Sequence, residues 1–262
     1  MTMKNRKSRF AKVLGSLFFL GAFLFISVNG LYAGEYDKFL TEETKDAEFV
    51  GTETCASCHE KENREFELSS HARFVTSEET DGVAQGCETC HGPGSVHVDN
   101  GGGKGTMINP DKKPEVCFTC HSDKQLQFKL PYRHPVLEGK MSCSDCHNVH
   151  GSDKLPWTTT SLDGTNGVCF NCHKEQRGPF VYEHEALREG CTNCHDIHGS
   201  IHDKMLIVRD NNLCFRCHSQ SNMGGPFIGD RDHSGSLSEG TCYSGGCHTA
   251  VHGSNFNDHL RY

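Results

Sequence analysis

The apolar positions of this chain are gathered into one long block at its start and scattered thereafter. The block runs from Val13 to Val28, behind the basic residues Lys4, Arg6, Lys7, Arg9 and Lys12, and is followed by Leu31-Tyr32-Ala33. Basic, then apolar, then small is the order of a secretory signal, and it predicts a removed leader over residues 1–33. Gly15, Ser16 and Gly21 interrupt the run, which is short for a membrane span. No later segment is apolar enough to cross a membrane as a helix, and strand signals are few. What remains are small apolar knots around cysteines: Val116-Cys117-Phe118, Val168-Cys169-Phe170 and Leu213-Cys214-Phe215. Between them lie Gly- and Pro-rich connectors such as Gly92-Pro93-Gly94 and Asn100-Gly101-Gly102-Gly103, which read as loops. The pattern predicts mostly coil and short α-helices, with little or no β.

The cysteines explain the knots. All 16 fall into one recurring motif. Seven copies are C-x-x-C-H: Cys55, Cys58 and His59; Cys87, Cys90 and His91; Cys117, Cys120 and His121; Cys143, Cys146 and His147; Cys169, Cys172 and His173; Cys191, Cys194 and His195; Cys214, Cys217 and His218. The eighth, Cys242, Cys247 and His248, is stretched to C-x4-C-H. C-x-x-C-H is the attachment signature of c-type haem. Its two thiols add to the vinyl groups of one porphyrin edge, and the following histidine ligates the iron from the proximal side. Zinc ribbons and disulfide scaffolds use cysteine pairs, but neither requires a histidine directly after the second cysteine. The flexible Ser244-Gly245-Gly246 linker lets the stretched motif place both thiols, so eight covalent haems are expected.

Ten histidines lie outside the motifs, enough for a second axial ligand on every iron. His134, His184 and His233 each stand shortly before the first cysteine of the next motif. His150 and His198 follow a proximal histidine by three residues and His252 by four, each leading into His-Gly-Ser. Two such neighbours cannot approach opposite faces of one iron, so the second must serve another haem. His71 and His97 complete the set of expected distal ligands, while His202 and His259 are left over. Met107, Met141, Met205 and Met223 are not needed as ligands. Bis-histidine iron has no open position for substrate and sits at low potential, which suits electron relay better than catalysis.

Position repeats with chemistry, as in repeat proteins. The motifs group into four serial di-haem modules, at 55–97, 117–151, 169–199 and 214–253. A segment at 34–54 precedes them, a linker at 98–116 separates the first two, and a tail at 254–262 follows. Serial repeats favour an extended arrangement in which the chain wraps a row of closely spaced haems. Hydrophobic residues make up 35% of the chain, many of them in the leader or in cysteines, so aliphatic packing alone is a poor core. The formal net charge is −8, and the leader takes five basic residues and no acidic ones with it. A mature chain that acidic is a poor candidate for binding nucleic acid.

The stretches HPVLEGKMSCSDCHNVHG, CHKEQRGPFVYEHEALREGCTNCHDIHGS, MLIVRDNNLCFRCH and CHTAVHGSN resemble the MtrA/DmsE-type periplasmic multihaem cytochromes. ETCASCHE, SSHARF and CETCHGPGSVHV are similar to the start of that family. The resemblance covers nearly all of residues 51–256. It implies bis-histidine ligation and a periplasmic position docked in an outer-membrane β-barrel porin. It further implies a periplasmic or inner-membrane cytochrome as donor, and an outer-surface multihaem cytochrome as route to outside acceptors such as metal oxides. With eight motifs this chain is one di-haem module shorter than typical members, between Cys87–His91 and Cys117–His121, and is similar in size to octahaem members of porin–cytochrome conduits. Two other readings stay open from the residues alone. An oxyanion reductase would need a vacant axial site, for which only the 242–248 motif offers an altered one. A filament subunit could use the spare His259.

Overall fold

The computed structural model describes residues 38–75, 86–151, 166–218, 227–228, 231–235, 240–244 and 246–261. The expected leader at 1–33 lies outside them. Ten short α-helices occur among the described residues: α1 Thr52–Ala56, α2 Glu60–Phe66, α3 Ser70–Val75, α4 Glu88–His91, α5 Ser95–Asp99, α6 Glu115–Phe118, α7 Ser122–Gln127, α8 Gly167–Phe170, α9 Ala186–Glu189 and α10 Asn211–His218. The longest, α10, has eight residues, too few for a helix to hold itself by propensity alone. None of the helices is long and apolar enough to cross a membrane among the described residues.

Strand is confined to four two-residue segments. β1 (Tyr182–Glu183) pairs antiparallel with β4 (Gly253–Ser254), and β2 (Phe227–Ile228) with β3 (Arg231–Asp232). The fold is therefore mostly coil and turns punctuated by short helices, as the scattered apolar pattern predicts.

Two compact units divide the chain: Met1–Glu67 with His71–Val116, and Leu68–Ser70 with Cys117–Tyr262. In the first, Phe39, Ile108 and Val116 form a small buried cluster with Leu40 against it. Lys113 ties this cluster down by donating to the Phe39 carbonyl at 2.6 Å. In the second, Phe118, Phe128 and Val136 pack together with Met141. Only nine hydrophobic side chains are buried among the described residues. Such knots bury too little apolar surface to order a chain of this length. A recurrent set of polar contacts around the motifs adds to them.

Within the first unit, Glu88 is such a contact. It lies between the two cysteines of the second motif and is 1% exposed. Its carboxylate accepts from the backbone N–H groups of Val50 at 2.9 Å, Gly51 at 2.8 Å and Gly94 at 2.9 Å. Three donors satisfy a group that would be costly to bury alone. They also fasten the second motif to the segment that opens α1.

Candidate functional site

Each motif closes one tight turn. The backbone N–H of the histidine donates to the carbonyl of the first cysteine: His59 to Cys55, His91 to Cys87, His121 to Cys117, His147 to Cys143, His173 to Cys169 and His195 to Cys191, all at 2.9–3.0 Å. Cys214 to His218 lies within α10. The stretched motif keeps the same bond, from His248 to the Cys242 carbonyl at 2.8 Å. The extra residues widen the loop without moving its ends apart. Cys242–His248 is thus a geometric equivalent of the other seven.

Histidines distant in sequence then meet in pairs. Ring centroids are 6.2 Å apart for His59 and His97, 6.2 Å for His134 and His173, and 6.1 Å for His147 and His198. They are 6.1 Å apart for His184 and His218, 6.2 Å for His195 and His252, and 6.4 Å for His233 and His248. A metal–imidazole bond is about 2.0–2.1 Å long and the ring centre lies about 1.1 Å behind the nitrogen, so two imidazoles gripping one ion from opposite sides stand about 6.2–6.4 Å apart. Six pairs falling in so narrow a range fit one iron between each. Ordinary aromatic packing spreads far more widely. In every pair one partner is a motif histidine and the other a histidine outside the motifs. Among the described residues no group of three or more His, Cys, Asp or Glu side chains is gathered as a metal cluster, so the donors fit axial pairs rather than a four-ligand zinc site.

Hydrogen bonds hold the Nδ1 atoms of His91 and of six of the paired rings. Nδ1 of His91, His195 and His248 meets the carbonyls of Ile108 at 3.2 Å, Lys204 at 2.8 Å and His259 at 2.6 Å. Nδ1 of His134, His184 and His233 meets those of Ile197 at 2.9 Å, Val251 at 2.9 Å and Arg231 at 3.0 Å. A carbonyl only accepts, so these Nδ1 atoms carry the proton and Nε2 keeps its lone pair. His97 Nδ1 lies 2.8 Å from Thr106 Oγ1, whose own hydrogen goes to the Gly103 carbonyl, so it too donates. Burial lowers the pKa of His198, His218 and His252, helped by Lys124 and His147 at the first and by the paired histidine at the other two. A neutral ring is the form that ligates metal. The leftover His259 therefore takes part through its carbonyl.

Tertiary contacts repeat along with these pairs. Tyr132 and Ser200 exchange backbone hydrogen bonds at 3.1 and 2.8 Å, and Tyr182 is registered against Ser254 in the β1–β4 pair. In both cases the residue two before a histidine outside the motifs, His134 or His184, pairs with the serine of a later His-Gly-Ser. The glycine between is dictated by the crossing. A Cβ on Gly199 would overlap the Gln127 carbonyl, and one on Gly253, at φ 137°, would overlap the Phe180 ring.

Thiols also meet. Cys55 lies beside Cys87, Cys169 beside Cys191, and Cys214 beside Cys242. Burial followed by Cys87 pushes the Cys55 thiol up to about 11, and burial followed by Cys242 pushes Cys214 to about 12. The bond from Cys191 lowers Cys169 to about 7 and raises Cys191 itself. Burial, then Asp145, Cys169 and Cys172, raises the Cys146 thiol, and burial, then Cys217, raises Cys194. Each motif from Cys143 onward therefore lies near the next.

The sequence reading missed the carbonyls that fix the tautomers, the buried Glu88, and three side chains that hold motifs together, Thr52, Asn166 and Asn211. The last two carry a sequence signal, an asparagine three residues before a first cysteine. His71 and His150, expected as distal ligands, lie respectively in α3 and in the turn after Cys146.

Residues 134–178 and 184–223 match the family model described as a doubled CXXCH motif. The multiheme cytochrome MtrA of Shewanella baltica is 34% identical over 207 residues, covering 77% of this chain and 57% of that protein. The cytochrome c-type protein NrfB of Haemophilus influenzae is 28% identical over 116 residues, covering 37% of this chain and 47% of that one. The chain thus spans about half the length of the curated relatives it matches. Doubled motifs, 16 motif cysteines and these relatives establish covalently bound haem c.

Proposed function

Because this chain is a multihaem c-type cytochrome of the MtrA type, we propose that it relays respiratory electrons through the periplasm and onward across the outer membrane. Haem c, when bound, supplies a one-electron iron couple at each motif. The sixteen cysteines hold eight such groups by thioether bonds, in four serial pairs of motifs. His59, His91, His121, His147, His173, His195, His218 and His248 serve as proximal ligands. His97, His198, His134, His252, His184 and His233 close the opposite face at His59, His147, His173, His195, His218 and His248, in that order. His71 and His150 serve the two remaining irons.

The observation that carries this reading is the set of six imidazole pairs at 6.1–6.4 Å. Two histidines at each iron leave no axial position for a substrate, so the chain relays and does not catalyse. The close approach of Cys55 to Cys87, and of each motif from Cys143 onward to the next, brings those attachment points together. Fitting partners are a periplasmic or inner-membrane donor cytochrome, an outer-membrane β-barrel porin and an outer-surface multihaem cytochrome. EPR of the oxidised protein tests the relay, with low-spin signals expected throughout. A substantial high-spin signal that shifts on adding nitrite or cyanide would support an enzyme instead. Protease treatment of intact cells tests the location, and rapid digestion would remove the protected periplasmic position.

A further inference from the structure

Three side chains outside the haem motifs occupy one repeated place. Asn166, Asn211 and Thr52 each stand three residues before the first cysteine of a motif: Cys169, Cys214 and Cys55. None of them faces that cysteine. Asn166 Oδ1 accepts from the backbone N–H of Cys191 at 2.8 Å, while its Nδ2 donates to the Leu187 carbonyl at 2.6 Å. Asn211 Oδ1 accepts from the N–H of Cys242 at 2.6 Å, while its Nδ2 donates to the Gly240 carbonyl at 3.1 Å. Thr52 Oγ1 accepts from the N–H of Cys87 at 3.4 Å, a weaker version of the same contact. In each case the acceptor reaches the first cysteine of the following motif.

Local structure does not account for this choice. Asn166 sits at the N-cap of α8, where an asparagine ordinarily bonds the first turn of its own helix. Its side chain makes no cap bond, and it is 7% exposed with both polar atoms committed to the other motif. In the same three motif pairs the first cysteines also lie close together: Cys55 to Cys87, Cys169 to Cys191, and Cys214 to Cys242. The backbone clamp and the close approach of the two cysteines therefore occur together in these pairs. Pro114 stands at the same offset before Cys117 and has no side-chain oxygen or amide to offer.

We propose that Asn166 and Asn211, with Thr52 as a weaker counterpart, are positioning residues that set the gap between the two haem attachment sites of a motif pair, and with it the rate of electron exchange inside that pair. The inference rests on the relay reading above. Each clamp pins the backbone at the first cysteine, the residue whose sulfur bonds the porphyrin edge, so a lost clamp translates into a shifted cofactor. A fully bonded buried amide is well suited to the task, since leaving its partners unsatisfied is costly.

The test uses the holoprotein with Asn166→Leu, Asn211→Leu, Asn166→Asp and Asn211→Asp. Leucine keeps the branching at Cγ and removes both bonds, whereas aspartate keeps the oxygen that meets the cysteine N–H. Haem per chain is counted from the pyridine haemochrome spectrum, magnetic coupling between neighbouring ferric irons is read by EPR, and internal electron exchange is timed after flash reduction. The expected result is eight haems and low-spin signals in all four, weaker coupling and severalfold slower exchange in the leucine variants, and values between those and native with aspartate, which keeps the bond to the cysteine N–H and loses the one to the Leu187 or Gly240 carbonyl. Native coupling and rate in the leucine variants would overturn the proposal, as would aspartate variants as impaired as leucine. Loss of haem in the leucine variants with full haem in the aspartate ones would assign the clamp to attachment, and that too would overturn it. A high-spin, exchangeable signal in the unmutated protein would instead remove the relay reading, and the inference with it.

Discussion

Histidine pairs inside the row of motifs are braced differently from those at its first and last motifs. Inside, His134 meets His173 and His184 meets His218, and each distal ring donates its Nδ1 proton to a carbonyl of a still later segment, at Ile197 and Val251. The ligand, its hydrogen-bond partner and the Tyr132–Ser200 or Tyr182–Ser254 pairing all cross from one motif pair to the next. At the first motif His59 meets His97, whose Nδ1 is satisfied nearby by Thr106. At the last motif His248 meets His233, whose Nδ1 bonds Arg231 two residues away. The outer pairs close within their own motif pair, and the inner ones fasten neighbours together. The interior motif pairs are therefore joined by histidine pairs and their carbonyl partners.

Removing one distal imidazole from each class breaks the comparison most sharply. His134→Ala and His233→Ala should each convert one iron from low to high spin by EPR. His134→Ala also strands the Ile197 carbonyl and frees a junction, so it should cost about 1–3 kcal/mol more in denaturant unfolding of the holoprotein than His233→Ala. Equal losses would mean that the inner and outer pairs are braced alike. Next, Gly199→Ala forces a Cβ into the Gln127 carbonyl and should destabilise by about 1–3 kcal/mol, read as a lowered Tm. An unchanged Tm would show that the crossing is looser than its glycine suggests. A smaller effect is expected for Ser200→Ala. The Ser200 hydroxyl is buried, donates to the Leu206 carbonyl at 2.6 Å and accepts from the His202 N–H at 2.9 Å, so its loss should cost about 1 kcal/mol. The smallest effect is spectroscopic. Five pairs have ring planes within 30° of each other, whereas His134 and His173 are inclined at 63°. Near-perpendicular imidazoles leave a low-spin ferric iron more anisotropic, so the EPR spectrum should hold a strongly anisotropic species that His134→Ala abolishes.

Much of the site was legible before any fold was known. The cysteine spacing named the chemistry, and the histidine surplus supplied the ligands. Repeated offsets singled out His134, His150, His184, His198, His233 and His252, of which His134, His184, His198, His233 and His252 face motif histidines, as does His97, which fits the repeat less tightly. Reach argued that His198 and His252 serve a haem other than the one beside them, and they face His147 and His195. The C-x4-C-H variant looked like the weak site, yet its histidine closes the same turn and meets His233. The sparse strand and short helices followed from the scattered apolar positions. Asn166 and Asn211 stand in the sequence as a repeat without a legible role, because their partners lie more than twenty residues away and a side-chain-to-backbone bond leaves no complementary residue to notice.

The sequence by itself determined which atoms bind haem c, because thioether attachment needs two thiols and a histidine within one turn and that requirement is local. Only the tertiary structure decided which histidine faces which. Opposed imidazoles must come together across an iron from separate segments, and that meeting depends on crossings such as Gly199 against Gln127 and Gly253 against Phe180, which no spacing along the chain records.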